Sequence, residues 1–254
     1  MKISLIQTTL SWEDAVANRS HFTSLIDNID TTDLIVLPEM FASGFTMNPA
    51  TVAEAPDGAT VQWMQQTAKA KNCAVTGSLA IKEGDNYYNR LFFVFPDESI
   101  QTYNKRHLFS YADEHKHYTK GIEKLVVDYK GWRICPLICY DLRFPVFARN
   151  VEDYDVLLYV ANWPQVRTFA WDALLKARAI ENLSYTIGVN RVGLDGNDHA
   201  YSGHTQVLDA LGAHLLEPTE ADGVFTVELN KEALEATRTR FTFLNDKDDF
   251  EIKL

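Results

Sequence analysis

Short apolar runs alternate along the chain with longer segments in which apolar residues recur every three or four positions. The short runs, rich in β-branched and aromatic residues, predict strands. The predicted strands cover residues 3–8, 34–37, 74–81, 90–95, 134–138, 156–160, 186–189 and 206–208. Helical spacing predicts one helix after a sequence at 11–14 that resembles a capping box, and another over 168–182. With no low-complexity linker or internal repeat, this alternation predicts one layered α/β domain over residues 1–254.

Charge and composition narrow the possible partners. The chain has 254 residues and a formal net charge of −11, which argues against a general binder of phosphate backbones, because such proteins present clustered basic residues. Nucleic acid is therefore not an expected partner. No run approaches the ~18 apolar residues of a membrane span, and the three cysteines form no paired framework. We therefore expect a cytoplasmic protein with no membrane partner.

Three residues with reactive side chains lie where predicted strands end or turn. Cys139 closes the apolar run 134–138, Glu39 follows the run 33–37, and Lys105 follows residues 99–104. Each residue alone has an ordinary interpretation as a buried thiol, a turn carboxylate or a solvated ammonium. Together they predict a nucleophile, a carboxylate and a cation at one edge of a sheet.

The flanking residues resemble those of the carbon–nitrogen hydrolases, the nitrilase superfamily, in which a Glu, a Lys and a Cys act together. Residues 37–39 (LPE) look like the Glu motif, 103–109 (YNKRHLF) like the Lys motif and 139–145 (CYDLRFP) like the Cys motif. The resemblance continues through further segments, so it covers nearly the whole chain. These segments are ANWP at 161–164, KARAIEN at 176–182, SGHT at 202–205 and DALG at 209–212. The resemblance implies a four-layer αββα sandwich and a homodimer.

The chemistry of amide hydrolysis assigns a role to each motif residue. A free cysteine with a pKa of about 8.5 is mostly neutral at pH 7, so Glu39 is expected to take the thiol proton and later protonate the departing ammonia. Lys105 and the backbone N–H of Tyr140 are expected to stabilise the oxyanion. Glu114 matches a second glutamate that many family members carry after the Lys motif. The alternative for Glu114 is a solvated loop carboxylate, with Asp113 beside it making the register ambiguous.

The choice of substrate rests on the form of the Cys motif. It is similar to the form in ω-amidases and deaminated-glutathione amidases, and residues 241–250 also resemble the ending of bacterial ω-amidases. The resemblance therefore implies an ω-amidase acting on 2-oxoglutaramate or 2-oxosuccinamate. Another family amidase, acting on deaminated glutathione or an N-carbamoyl compound, is the first alternative. A noncatalytic binding protein with the same fold is the second.

A carboxylate-bearing substrate requires a local cation, because the whole chain is acidic. Arg143 and Arg167 are the candidates, since a guanidinium binds a carboxylate in bidentate fashion. For Arg143, a structural ion pair with Asp141 or another acid is an equally good interpretation. The aromatic residues beside the motifs are expected to exclude water from the pocket, and these are Trp163, Tyr140 and Phe41.

Other chemistries have weak support. His107, His115 and His117 lie near Glu114, but no Cys-x-x-Cys or His-Glu-x-x-His accompanies them. Gly-x-Ser-x-Gly, a Walker loop and Gly-x-Gly-x-x-Gly are also absent from the sequence. The sequence therefore predicts an enzyme without a metal and without a cofactor.

Overall fold

The computed structural model describes residues 1–252. The strands are β1 (Lys2–Gln7), β2 (Leu34–Val36), β3 (Ala74–Glu83), β4 (Asn86–Val94), β5 (Ile100–Asn104), β6 (Val127–Tyr129), β7 (Trp132–Ile138), β8 (Val156–Val160), β9 (Tyr185–Val189), β10 (Val192–Leu194), β11 (Ala200–Ser202), β12 (Gln206–Leu208), β13 (His214–Leu216) and β14 (Gly223–Glu228). The helices are α1 (Ala15–Asp27), α2 (Pro49–Val52), α3 (Ala59–Lys71), α4 (Glu114–His117), α5 (Pro145–Ala148), α6 (Thr168–Asn182) and α7 (Lys231–Arg240). Short 3₁₀ helices cover Ser110–Ala112, Cys139–Arg143, Gln165–Arg167 and Phe243–Asp246.

Within residues 1–252 the strands form two six-stranded sheets and one small hairpin. The first sheet has the order β14-β1-β2-β3-β4-β5, and the second has the order β13-β12-β9-β8-β7-β6. Strands β1, β2 and β3 are parallel, as are β7, β8 and β9, whereas the outer strands pair in antiparallel fashion. The hairpin joins β10 to β11.

The two sheets pack face to face, and helices cover their outer faces. Buried residues of both sheets belong to one apolar cluster, which includes Leu5 and Phe93 from the first sheet and Leu137 from the second. A separate cluster joins α1 and α3 to the first sheet, while α6 packs on the second. The four layers are therefore α, β, β and α, which confirms the predicted αββα sandwich.

Local sequence explains the two main helices. Helix α1 begins after Asp14, whose side chain accepts a hydrogen bond from the N–H of Ala17. The expected capping role of Ser11 was wrong, because the turn at Trp12 and Glu13 delays the helix start. Helix α6 covers the residues predicted for it, 168–182. Gly188 on β9 lets it pack closely, because a Cβ there would lie 2.4 Å from Leu175.

All eight predicted strands are present, but the structure also contains strands that the pattern of apolar residues did not predict. Strands β5, β6, β13 and β14 lie at or beside sheet edges. Edge strands are half exposed, so their sequences contain fewer apolar residues; β5, for example, has the sequence IQTYN.

The topology brings several loops to one end of the sandwich. Strands β2 and β5 point the same way, because each antiparallel step from β3 to β4 and from β4 to β5 reverses direction. The residues after β2 and β5 are therefore at one edge, and the residues after β7 and β8 face them across the sheets. Among residues 1–252, no helix is long and apolar enough to cross a membrane.

Candidate active site

Lys105 lies between two carboxylates at this end of the sandwich. Its Nζ is 2.8 Å from Oε1 of Glu39 and 3.0 Å from Oε2 of Glu114. All three side chains are fully buried. Burial alone would lower the pKa of Lys105, but the charges of Glu114 and Glu39 outweigh it and raise this pKa. Lys105 therefore stays protonated, and it balances one of the two negative charges.

Glu114 is part of this cluster and not a solvated loop residue. It begins the one-turn helix α4, and its Oε2 accepts a hydrogen bond of 2.6 Å from the N–H of Phe109. Burial raises the pKa of the Glu114 carboxyl, and Lys105 opposes the rise. The neighbouring Asp113 is exposed and pairs with Lys116 at 3.0 Å. The carboxylate that contacts Lys105 is therefore that of Glu114 and not that of Asp113.

Two asparagines hold Glu39 from other directions. Asn89 on β4 donates from Nδ2 to Oε1 of Glu39 at 2.8 Å. Asn162, two residues after β8, donates its backbone N–H to Oε2 at 2.8 Å. Each oxygen of Glu39 therefore accepts at least one hydrogen bond, which fixes the plane of the carboxylate. The motif at 161–164 contained Asn162, but no sequence signal identified Asn89.

Cys139 follows the end of β7 in a left-handed backbone conformation, with φ at +44°. Its Sγ is 3.9 Å from the carbonyl oxygen of Asn162, and the side chain borders the cavity described below. Burial raises the pKa of this thiol well above its ordinary value, and the negative charge of Glu39 raises it further. The resting thiol is therefore protonated. Met40, directly after Glu39, has a similar φ of +43°.

A buried carboxylate, Asp141, joins the Lys105 segment to the Cys139 turn. It accepts hydrogen bonds from the hydroxyl of Tyr103 at 2.7 Å and from the backbone N–H groups of His107 at 3.0 Å and Ile138 at 3.0 Å. Tyr103 and His107 flank Lys105 by two residues on each side. Asp141 thus fixes the position of Lys105 relative to Cys139.

A cavity of about 670 Å³ opens above these residues. The Arg143 guanidinium carbon lies 4.9 Å from the centre of the Trp163 ring, and that of Arg167 lies 5.2 Å from the centre of the Phe109 ring. In the described part of the chain neither guanidinium has a carboxylate within 4.0 Å. The alternative ion pair of Arg143 with Asp141 is wrong, because Asp141 bonds to the Tyr103 and His107 segment instead.

The cavity wall differs from the expected one at several positions. Trp163 and Tyr140 line the cavity as expected, but Phe41 does not. Phe41 is fully buried and packs against Phe22 and Trp63 beneath the first sheet, so its predicted role as a wall residue was wrong. Sequence reasoning missed several wall residues, because they come from loops and a hairpin outside the motifs. They are Trp12, Glu13, Phe45, Thr46, Tyr111, Asp195, His199 and Tyr201.

The histidines near Glu114 do not converge. His107 pairs with Asp141 and stacks on Phe144 with ring centres 3.7 Å apart. His115 and His117 are exposed on α4. Among residues 1–252, no group of three or more His, Cys, Asp or Glu side chains is arranged to hold a metal ion.

These features define a class of protein. The family model for carbon–nitrogen hydrolases matches residues 2–239. The chain belongs to the carbon–nitrogen hydrolase family.

Particular relatives narrow the comparison further. Omega-amidase YafV of Yersinia enterocolitica is 47% identical over 252 residues, which are 98% of each chain. A 2-oxoglutaramate amidase of Bacillus subtilis is 31% identical over 84% of each chain. The chain also superimposes on XC1258 of Xanthomonas campestris, a family protein with an arsenic adduct in its active site. The TM-score is 0.97, with 44% identity and coverage of 100% of this chain and 99% of that one.

Proposed function

We propose that this chain is an ω-amidase. It hydrolyses the terminal amide of a 2-oxo dicarboxylic acid monoamide, 2-oxoglutaramate or 2-oxosuccinamate, to the 2-oxo acid and ammonia. The main structural support for this proposal is the buried Lys105, which lies between Glu39 and Glu114 next to the Cys139 thiol. Several curated relatives are named omega-amidase or 2-oxoglutaramate amidase, which supports the same reaction.

The reaction begins with transfer of the thiol proton to Glu39. Because the pKa of the Cys139 thiol is raised by burial and by Glu39, a free thiolate is scarce in the resting site. The proton therefore leaves for Glu39 as the sulfur attacks the amide carbon and the new C–S bond forms. Asn89 and Lys105 bond to Oε1 of Glu39, and Asn162 bonds to Oε2. The carboxylate is thus held in one orientation for the transfer.

The oxyanion of the tetrahedral intermediate requires a donor that is already in place. The Lys105 ammonium has three N–H groups. Glu39 takes one and the two oxygens of Glu114 share a second, which leaves one for the oxyanion. The backbone N–H of Tyr140 is the second proposed donor. An oxyanion donor of this kind lowers the activation free energy by about 2.7–4 kcal/mol.

Collapse of the intermediate breaks the C–N bond, and Glu39 returns its proton to the departing ammonia. The product is a thioester on Cys139. Water then attacks this thioester, Glu39 takes the water proton, and the C–S bond breaks as the proton returns to sulfur. The 2-oxo acid leaves, and the thiol and the carboxylate are restored. Glu114 positions Lys105 through its hydrogen bonds with Lys105 and with the N–H of Phe109.

Arg143 and Arg167 bind the distal carboxylate of the substrate in this proposal. Both line the cavity, and each guanidinium lies over an aromatic ring and not on a carboxylate. A guanidinium without an anionic partner has its donors free for a substrate carboxylate. Trp163 and Phe109 hold the two planes in place through cation–π contacts.

A second candidate is supported by the size of the cavity. About 670 Å³ lies within the range of ~300–1,000 Å³ that holds drug-sized ligands, whereas a five-carbon monoamide is much smaller. A longer amide such as deaminated glutathione is therefore the alternative substrate, cleaved by the same residues.

Ammonia release from a panel of amides tests the proposal. The panel contains 2-oxoglutaramate, deaminated glutathione, glutamine, a neutral amide of equal length and the corresponding nitrile. The ω-amidase proposal predicts the highest kcat/KM for 2-oxoglutaramate. Preference for deaminated glutathione supports the second candidate, and equal rates on charged and neutral amides reject both.

The remaining parts of the proposal concern the whole molecule. We propose that residues 1–254 act as one cytoplasmic domain that forms a homodimer. Phe169 and Val166, 88% and 86% exposed beside the cavity mouth, are large apolar side chains that a second copy would cover. Light scattering of the purified chain measures the oligomeric state, and a monomer at micromolar concentration would reject the dimer.

A further inference from the structure

Asn89 touches both carboxylates of the site. Its Nδ2 lies 2.8 Å from Oε1 of Glu39 and 3.3 Å from Oε1 of Glu114. No other side chain in the described residues donates to both glutamates except Lys105. Asn89 does not line the cavity, so it acts on the two glutamates and not on the substrate.

The backbone of Asn89 reinforces this placement. Its carbonyl oxygen accepts the N–H of Lys105 at 2.9 Å, directly beyond the β4–β5 ladder. Asn89 therefore meets Lys105 through the main chain and meets both glutamates through the side chain. A change in the side chain leaves the backbone contact intact, which separates the two roles experimentally.

The other end of the Asn89 amide has no partner among the protein atoms of residues 1–252. Its Oδ1 is buried, and within residues 1–252 no donor reaches it. Rotating the amide by 180° would not help, because Oδ1 would then face two carboxylates. A buried acceptor without a donor destabilises a protein. This unfavourable arrangement is understandable if the Nδ2 donor is needed for the chemistry.

We infer that Asn89 is a positioning residue that keeps Glu39 and Glu114 ionised side by side, so that Glu39 is available to accept the thiol proton. Two adjacent carboxylates repel each other, and the single ammonium of Lys105 balances one of them. The Nδ2 dipole supplies additional stabilisation to the charged forms without adding a charge or a proton. This inference rests on the proposed function, since it concerns how Glu39 performs its step.

The titratable groups around Asn89 are five side chains on or following four elements of the fold. They are Glu39 after β2, Lys105 after β5, Glu114 on α4, Tyr118 after α4 and Cys139 after β7. Tyr118 donates its hydroxyl to the carbonyl oxygen of Thr46 at 2.9 Å. Its pKa is raised by burial and by Glu114, so it stays neutral through the working range. The acid limb of a pH profile therefore reports protonation of the carboxylate cluster.

The test variant is Asn89→Leu, which keeps the approximate shape and removes the donor. A hydrogen bond to a charged group, worth about 1.5–3 kcal/mol, corresponds to a rise of about one to two pH units in the acid limb of kcat/KM. At a pH on this limb kcat is expected to fall about 10-fold or more, with KM unchanged. The melting temperature of Asn89→Leu shows whether the variant is folded. Little loss of stability is expected, because the substitution also removes the buried Oδ1 that has no donor.

Asn150→Leu is the matched control. Asn150 is also fully buried, but its side chain is completely paired, with Nδ2 on the carbonyls of Tyr154 and Asn182 and Oδ1 on the N–H of Tyr154. It lies outside the site. The control is expected to lose more thermal stability than Asn89→Leu and to keep the position of the acid limb.

Alkylation of Cys139 by iodoacetamide gives a second profile that does not depend on turnover. Cys73 and Cys135 are fully buried, so the label reports on Cys139. The acid limb of the alkylation profile is expected to move to higher pH in Asn89→Leu and to stay at the wild-type pH in Asn150→Leu. Profiles of unchanged shape in Asn89→Leu, with only the amplitude lowered, would overturn the inference. A wild-type chain inactive on every amide rejects the proposed function instead, while the alkylation profiles still test Asn89.

Discussion

Replacing Lys105 by methionine removes the only ammonium that contacts Glu39 and Glu114 in the described residues. Both carboxylates are fully buried, so the variant leaves uncompensated charge in the interior. Removing one partner of a buried ion pair costs about 3–5 kcal/mol. For a chain of this size each kcal/mol shifts the melting temperature by about 2–4 °C. We therefore expect a decrease of about 6–20 °C at pH 8.

The same reasoning fixes the pH dependence of the variant. Without Lys105, the burial that already raises the pKa of the Glu114 carboxyl is opposed only by the hydrogen bonds from the N–H of Phe109 and Nδ2 of Asn89. The folded state then binds a proton more tightly than the unfolded state does. Stability is therefore greatest below the unfolded carboxyl pKa of about 4.3, and it is lost as pH rises through the raised folded-state value. Adding Glu114→Gln to Lys105→Met removes one of the two charges and is expected to restore part of the loss at pH 8.

Thermal unfolding followed by circular dichroism at pH 6 and pH 8 measures these differences. Lys69→Met is the surface control, since Lys69 pairs with Glu98 where both side chains are exposed. Exposed pairs contribute about 0–1 kcal/mol. A Lys105→Met variant that melts within about 2 °C of the wild type at pH 8, less than one kcal/mol on this scale, would refute the idea that Lys105 neutralises buried charge.

Three further predictions concern the reaction itself. Cys139→Ala is expected to abolish turnover, whereas Cys135→Ala is expected to keep it. Mass spectrometry of the enzyme with a slow substrate should find the acyl adduct on Cys139 alone, and an adduct on Cys73 would contradict the assignment. Glu39→Gln is expected to lose about 100-fold or more in kcat, since the amide cannot exchange protons, whereas dialysis of the wild type against a chelator should leave the rate unchanged. Arg143→Met or Arg167→Met is expected to lower kcat/KM for 2-oxoglutaramate by about 10- to 150-fold, and a neutral amide measured in parallel should be unaffected.

The sequence predicted the central strands well, because buried parallel strands have continuous apolar runs. Strand β8, for example, has the sequence VLLYV and is buried throughout. The edge strand β5 lacked such a run. It nevertheless delivers Lys105, which was found through its motif and not through periodicity.

The site was predicted unevenly for a similar reason. The motifs indicated Glu39, Lys105, Glu114 and Cys139. In the structure Lys105 and Cys139 line the cavity, and Glu39 and Glu114 bond to Lys105. Asn89 and Glu13 have no local signature, since their positions depend on strand pairing and on a turn far from the motifs. Phe41 was misjudged because a residue near a motif can still point to the other side of its sheet. Adjacency in sequence therefore predicted which loops meet, but not which side chains face the cavity.

The left-handed conformations of Met40 and Cys139 have a consequence for engineering. A residue other than glycine in this region costs of the order of 1–3 kcal/mol, and here the two costs occur at the turns that present Glu39 and the thiol. Glycine would relax either turn. A selection for heat resistance that ignores activity would therefore favour replacement of Cys139 by glycine, because this change stabilises the fold more than a neutral surface substitution does. Thermostable variants of this chain are best selected under a simultaneous requirement for turnover.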